Sequence, residues 1–160
     1  MSEFKKLRRL VLKFLRLETL AEAFYLHHLH AVPPEARGLF REFVTIEERH
    51  RRMFEYYYTN IYGTPVPTFP IATFCAGIIA EASHLFGTST IVRLECWIER
   101  KAIADYTNAL EWIEEPNLQQ LIHRVLHDEA HHLPLTEALL TFREDEEEHI
   151  RKMTALIQKR

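Results

Sequence analysis

The sequence is poor in glycine, in cysteine and in long apolar runs. It has only 4 Gly in 160 residues, whereas sheet proteins need glycine at many tight turns, so the composition favours helices. Cys75 and Cys96 are too few for a disulfide framework or a cysteine-based zinc site. No apolar run reaches the ~18 residues that predict a membrane-spanning helix. A net charge of −3 argues against general nucleic-acid binding.

The N-terminal segment is basic and apolar, but it lacks the clean apolar stretch and the small-residue cleavage site of a secretory signal. We therefore expect a cytoplasmic protein, with peripheral contact to the inner face of a membrane as a further option. The length and the 47% hydrophobic content predict a single domain, residues 1–160, with a substantial core.

Apolar residues recur every three to four positions along most of the chain, which predicts an all-α protein. The predicted helices cover residues 3–31, 34–62, 71–86, 89–113, 118–133 and 135–158. Pro33 and Pro34 separate the first two. The segment 63–70, rich in proline, is long enough to carry the chain from one end of a bundle toward the other.

Smaller signals set the other boundaries. Gly87 ends the short apolar helix, and Ser89 or Thr90 caps the helix that follows. Asn117 is the expected N-cap of the next helix. Pro134 should kink or end that helix, because proline lacks the amide that an interior position needs.

Two of the long helices each contain the motif Glu-x-x-His, as Glu47/His50 and Glu129/His132. This spacing places a carboxylate and an imidazole on one helical face. One Glu from each of two further helices, added to these motifs, makes the ligand set of a bundle that binds two iron or manganese ions. Four carboxylates balance the charge of two divalent ions, and imidazole suits iron. The predicted ligands are Glu18, Glu47, His50, Glu99, Glu129 and His132.

Level matching favours two of these residues over their neighbours. Glu18 lies as far before the first turn as Glu47 lies after it, whereas Glu22 is about one turn, roughly 6 Å, off level. Glu99 matches Glu129 better than Glu95 does. The remaining alternatives are the pair Asp128/His131 one residue earlier, and Glu146/His149, which we interpret as part of a solvated acidic face.

Residues around the predicted ligands suggest further roles. A ligand imidazole usually donates its other nitrogen to a carboxylate or a carbonyl, and Asp105 and Asp128 could accept that bond. Tyr25, Tyr57 and Tyr106 are expected in the core or in a pocket. Asp105 and Tyr106 are the candidate catalytic residues, and a redox role for the tyrosine is the less favoured alternative. The other histidines are expected on the surface or behind the ligands.

Over residues 16–133 these motifs resemble the demethoxyubiquinone hydroxylases of ubiquinone biosynthesis, which belong to the ferritin-like superfamily. The most specific part joins Glu47-x-x-His50, the breaker segment with Pro70, the apolar helix closing at Gly87, and Glu99 followed by Tyr106. The run from Asp128 to His132 resembles the family's Asp-Glu-Ala-x-His. An alignment of Arg16 with the family's arginine would make Glu22 the first-helix ligand. The expected fold is a ferritin-like antiparallel four-helix bundle with a short apolar crossover helix and a C-terminal helix.

The resemblance implies an O₂-dependent di-iron monooxygenase acting on a hydrophobic quinol-like or aromatic substrate. Its cofactors would be two Fe ions, with Mn as the alternative metal, and it would need an external electron donor. The second hypothesis is a ferritin-like or rubrerythrin-like ferroxidase or oxidase that hydroxylates no organic molecule. The apolar helix 71–86 and the basic first turns could contact a membrane surface, and a homo-oligomer is a further expectation.

Overall fold

Five α-helices follow one another along the chain: α1 (Glu3–His28), α2 (Arg37–Tyr62), α3 (Pro70–His84), α4 (Thr88–Leu110) and α5 (Pro116–Ile157). The computed structural model describes residues 2–30, 32, 34 and 36–157; residues 72, 84, 142–147, 149, 150 and 152–157 are described by their backbone alone. Over these ranges there is no strand, which confirms the all-α prediction. None of the described helices combines the length and the apolarity needed to cross a bilayer.

The long helices α1, α2, α4 and α5 form the bundle. Helix α2 is antiparallel to α1, because Arg8 contacts Tyr58 at one end while Tyr25 packs on Phe43 at the other. Helix α4 is also antiparallel to α1, since Lys13 pairs with Asp105 and residue 25 meets residue 99. Helices α4 and α5 form the second antiparallel pair. The ferritin-like bundle expected from the sequence is thus confirmed.

Helix α3 carries the chain along the outside of α1. The Arg16 guanidinium lies 5.3 Å from the Phe69 ring near the start of α3, and His28 Nε2 lies 2.9 Å from Ser83 Oγ near its end. Helix α3 is therefore parallel to α1 and spans roughly 22 Å. Gly63, at φ 62°, ends α2, and Gly87, at φ 86°, precedes α4. Both backbone conformations favour glycine.

The interior alternates between apolar and polar layers. Phe14, Phe54 and Tyr106 pack together toward one end of the bundle. Tyr25 and Phe43 pack toward the other end, within a second apolar cluster. The predicted metal ligands occupy the helical turns between these clusters, so the site is closed above and below by aromatic rings.

Pro134 does not end the fourth bundle helix, and the prediction that separate helices cover 118–133 and 135–158 is wrong. Helix α5 continues through it to residue 157. Proline removes one backbone hydrogen bond, but contacts on its C-terminal side keep the helix in place. The Thr136 hydroxyl donates to the His132 carbonyl at 3.0 Å, and Leu139 packs against the apolar cluster that contains Tyr25 and Phe43.

Helix caps also differ from the sequence-based expectation. Glu115, rather than Asn117, caps α5: its carboxylate accepts the Leu118 amide at 2.5 Å and the Asn117 amide at 3.1 Å. Gly87 occupies the N-cap position of α4, so neither Ser89 nor Thr90 is the cap. Helix α1 ends at residue 28 and α2 begins at residue 37, and Pro33 between them lies outside the described residues.

The Glu115 cap gives a pH-dependent stability prediction. Burial alone would raise the pKa of Glu115, but hydrogen bonds from the Tyr57 hydroxyl and from the Leu118 and Asn117 amides outweigh it and lower that pKa. A carboxyl with a lowered folded-state pKa stabilises the fold above its unfolded pKa and loses that effect as the pH falls through the folded value. Glu115→Gln should therefore cost about 1 kcal/mol at neutral pH and progressively less in acid.

Thermal unfolding of the wild type and Glu115→Gln at neutral and acid pH measures this difference. Glu114→Gln is the matched control, because Glu114 is exposed beside the cap. A cost that stays constant down to pH 2–3, below the ordinary carboxyl range, would contradict the capping role.

Candidate metal centre

The four bundle helices bring six potential ligands to one level of the interior. Helices α1 and α4 each supply one carboxylate, and α2 and α5 each supply a carboxylate and an imidazole. Each of these residues is at most 2% exposed, whereas Glu and His are normally surface residues. They are Glu18, Glu99, Glu47, His50, Glu129 and His132.

The six residues form two overlapping groups. Glu18, Glu47, His50 and Glu129 place ligand atoms within 4.8 Å of one another, and Glu47, Glu99, Glu129 and His132 do the same. Glu47 and Glu129 belong to both groups, so each can contribute an oxygen to either side. His50 Nδ1 lies 3.4 Å from Glu18 Oε2, and His132 Nδ1 lies 3.5 Å from Glu47 Oε1.

Unsatisfied polar atoms show that the residues fit metal ions. Glu18 Oε2, Glu47 Oε1, His50 Nδ1 and both ring nitrogens of His132 are buried without a hydrogen-bond partner. Such atoms are costly unless something compensates them. A donor set of four carboxylates and two imidazoles matches two divalent cations in charge and in ligand preference. The cluster is thus suited to two metal ions.

The pKa values in the cluster reflect the crowding of carboxylates in a buried space. Burial and then the neighbouring carboxylates raise the pKa of Glu47 and Glu99 well above the ordinary range, and raise that of Glu129 to about 7. Burial lowers the pKa of His50, but its contacts with Glu129 and Glu18 outweigh this and raise it to about 11. Without cations, the cluster must therefore retain protons.

Two tyrosines form hydrogen bonds between α1 and α4, the helices that each supply one carboxylate. The Tyr106 hydroxyl of α4 donates to Glu18 of α1, and the Tyr25 hydroxyl of α1 donates to Glu99 of α4. Each donor fixes the orientation of a potential ligand. Sequence reasoning placed both tyrosines in the core but missed these bonds. The available signal was that each tyrosine follows a carboxylate by seven residues on its own helix.

Of the two aspartates proposed as partners of a ligand imidazole, one contacts a histidine of the cluster. Asp128 Oδ2 lies 3.1 Å from His50 Nε2 and accepts a 2.6 Å hydrogen bond from Arg49. Asp105 instead pairs with Lys13 at 2.9 Å and Lys101 at 2.5 Å. The structure thus places Asp128 behind His50, and it places the candidate catalytic Asp105 against two lysines.

The alternative ligands lie outside the two groups. Glu22 accepts a 2.6 Å hydrogen bond from Arg51, and the exposed His131 bonds to the carbonyl of His127 on its own helix. Glu95 is buried against His28. The side chains of Glu146 and His149, interpreted as a solvated face, lie outside the described residues.

A second buried polar cluster was missed by the sequence reasoning, which expected His28 on the surface or behind the ligands. His28 contacts Glu95 through Nδ1, and its Nε2 lies 2.9 Å from Ser83 Oγ. The Ser83 hydroxyl donates to the Ala80 carbonyl at 2.6 Å, so its oxygen accepts the bond from His28. This cluster joins α1, α3 and α4, and no local sequence pattern predicts it.

The family model for rubrerythrin matches residues 12–140, which contain all six potential ligands. The chain belongs to the rubrerythrin family. Neither a curated protein nor a solved structure matches it.

Membership of the rubrerythrin family explains the buried acidic layer of the bundle. Rubrerythrin-family proteins bind a di-iron centre and are generally oxidoreductases. With its carboxylate and histidine cluster, this rubrerythrin-family chain is a ferritin-like di-iron protein. The match supports the superfamily that the sequence resembles, but not the demethoxyubiquinone hydroxylases in particular.

Proposed function

We propose that the chain is an O₂-dependent di-iron hydroxylase of a hydrophobic aromatic or quinol-like substrate. Glu18 and His50 would hold one iron, Glu99 and His132 the other, and Glu47 and Glu129 both. When bound, the metal pair would activate O₂: two electrons from an external donor and two protons would reduce one oxygen atom to water, and the other oxygen atom would enter a C–H bond of the substrate. Manganese is the alternative metal.

The residues of the chain position and enclose this centre. Tyr106 and Tyr25 act through Glu18 and Glu99, which makes them positioning residues. Asp128 holds the imidazole of His50 from the outside. Phe43, whose ring centroid lies 4.6 Å from that of His132, closes the other side of the cluster and keeps water away from it.

The apolar crossover helix α3 is the observation that supports an organic substrate. Helix α3 exposes large apolar side chains, with Ile71 at 78% and Phe74 at 68% exposure. A groove of about 840 Å³ runs along it beside His27 of α1, with Phe69, Phe74 and Ile78 among its walls. A protein that only oxidises or stores iron needs no such surface. A hydrophobic organic substrate would bind to such a surface.

The same surface supports peripheral membrane contact as part of the proposal. The basic first turns of α1 contribute less to it, because Lys6 lies over the Trp112 ring, Arg8 contacts Tyr58 and Lys13 pairs with Asp105. We therefore expect binding to neutral lipid vesicles through α3. Flotation with phosphatidylcholine vesicles tests this: Phe74→Ser should reduce the bound fraction, and equal flotation of the variant would contradict it.

The proposed activity is tested with the reduced, iron-loaded protein, O₂ and a lipid extract. A hydroxylase should give products heavier than their precursors by one oxygen atom, and ¹⁸O₂ should label them. The iron-loaded Glu137→Gln variant is the control and should give the same product yield as the wild type, because the Glu137 carboxylate of α5 lies in a surface pair. Consumption of O₂ with no oxidised organic product would overturn the hydroxylase proposal in favour of an oxidase or ferroxidase.

A further inference from the structure

The outer faces of α2 and α5 enclose a groove that the metal centre does not use. It has a volume of about 670 Å³, which is within the usual range for small-molecule sites. A second cavity of about 600 Å³ shares four lining residues with it and reaches Asp128. The two cavities therefore form one continuous groove. The shared residues are Arg49, Met53, Gln120 and Arg124.

Two cross-links set the register of the groove walls. The Tyr57 hydroxyl donates to Glu115 at 2.8 Å at one end, and His50 Nε2 lies 3.1 Å from Asp128 at the other. Because the helices are antiparallel, Arg124 lies opposite residues 52–53 of α2. Arginines thus face each other across the groove.

The cations of the groove are not all neutralised. Arg49 pairs with Asp128 at 2.6 Å, and Arg52 pairs with Glu48 at 2.6 Å. Arg124 has no carboxylate or hydrogen-bond partner in the part of the chain that the structure describes. An arginine facing a second arginine without a counter-ion leaves a positive site for an anionic group.

The floor of the groove is apolar and adaptable. Met53, Tyr57 and Leu121 line it between the two helices. Methionine side chains adjust to irregular ligand shapes, and aromatic rings offer flat apolar contact. The apolar floor and the positive charge of Arg124 are together complementary to a molecule with an apolar body and one negatively charged end.

We propose that the groove between α2 and α5 binds a small amphiphilic organic carboxylate. Arg124 holds the carboxylate with its guanidinium, and the apolar body lies over Met53 and Leu121. The proposal stands apart from the hydroxylase function, because the groove lies on the outer side of Asp128 and contains none of the six potential metal ligands.

Calorimetric titration of the iron-loaded protein with octanoate and with 1-octanol tests the inference. The two probes share an apolar chain and differ in charge. The wild type should bind octanoate roughly tenfold more tightly than 1-octanol, as expected for a charge-assisted contact. Arg124→Gln should remove about that factor for octanoate and leave the 1-octanol affinity unchanged.

Arg41→Gln is the matched control, because Arg41 is an exposed arginine of α2 outside the groove. It should bind octanoate as the wild type does. Absence of octanoate binding, equal affinity for the two probes, or an unchanged octanoate affinity in Arg124→Gln would each overturn the inference. All of these titrations are carried out in the Phe74→Ser background, because that substitution weakens 1-octanol binding at the apolar face of α3 and leaves the groove between α2 and α5 unchanged.

Discussion

Replacing Glu129 with glutamine is expected to leave the protein with less than ~0.3 bound metal ions per chain, because this carboxylate belongs to both potential ligand groups. The substitution replaces one carboxylate oxygen with an amide nitrogen, which donates rather than accepts, and it removes the negative charge that both groups share. Glu18→Gln touches one group only, so that variant should retain about one metal ion. Elemental analysis of protein purified with Fe(II) present measures both outcomes.

The fold provides an internal control for this experiment. Burial and the surrounding carboxylates raise the pKa of Glu129 to about 7, so a neutral amide fits the metal-free cluster at least as well as the carboxylate. Glu129→Gln should therefore unfold at or above the temperature of the metal-free wild type. Glu137→Gln, on the exposed side of the same helix, should keep the full metal content. Normal metal loading in Glu129→Gln would refute the shared role.

Replacing Glu95 with leucine should destabilise the protein by about 3 kcal/mol, because it leaves a buried polar group without its hydrogen-bond partner. Glu95 and His28 are both fully buried, so the variant leaves His28 in an apolar interior without its carboxylate. In a chain of this size the thermal midpoint should fall by roughly 10 °C. Calorimetry or circular dichroism of the metal-loaded variant measures the shift.

Removing both members of the pair distinguishes the cost of a buried polar group without its partner from the loss of packing. The double variant His28→Leu/Glu95→Leu should recover at least half of the lost stability, because the buried imidazole that lacked its partner is also removed. Ser83 keeps a partner in that variant, since its hydroxyl donates to the Ala80 carbonyl. Glu137→Leu, in the exposed Arg100 pair, should change stability by less than ~0.5 kcal/mol. A double variant no better than Glu95→Leu would refute the buried-pair explanation.

The sequence predicted the bundle helices because apolar residues repeat at helical spacing. It also predicted the level of the site, since equal distances from a turn place residues at equal heights in an antiparallel pair. That argument favoured Glu18 over Glu22; the structure places Glu18 in one of the two potential ligand groups and Glu22 against Arg51. Pro134 misled the prediction because tertiary contacts on the far side of the proline hold the helix together.

Other features depend on contacts between distant segments. His28 and Glu95 come together only because α4 returns along α1, and Ser83 reaches them only because α3 lies against the same helix. In the sequence, Asp105 is as good a candidate partner for a ligand imidazole as Asp128. In the structure its carboxylate pairs with Lys13 and Lys101 instead. Helical periodicity specifies which face of a helix is buried and does not specify which partner each polar group meets.

The crossover that runs along α1 leaves the chain as two helical hairpins, each with one single carboxylate, one tyrosine and one Glu-x-x-His motif. The hairpins are matched in donors but not in surroundings. Asp128 lies within hydrogen-bond distance of His50, whereas the Phe43 ring packs against His132. Burial and the charge of His50 lower the pKa of His132 to about 4. Two chemically identical ions bound here would therefore have different surroundings, one beside an imidazole that faces a carboxylate and the other beside an imidazole that packs against an aromatic ring.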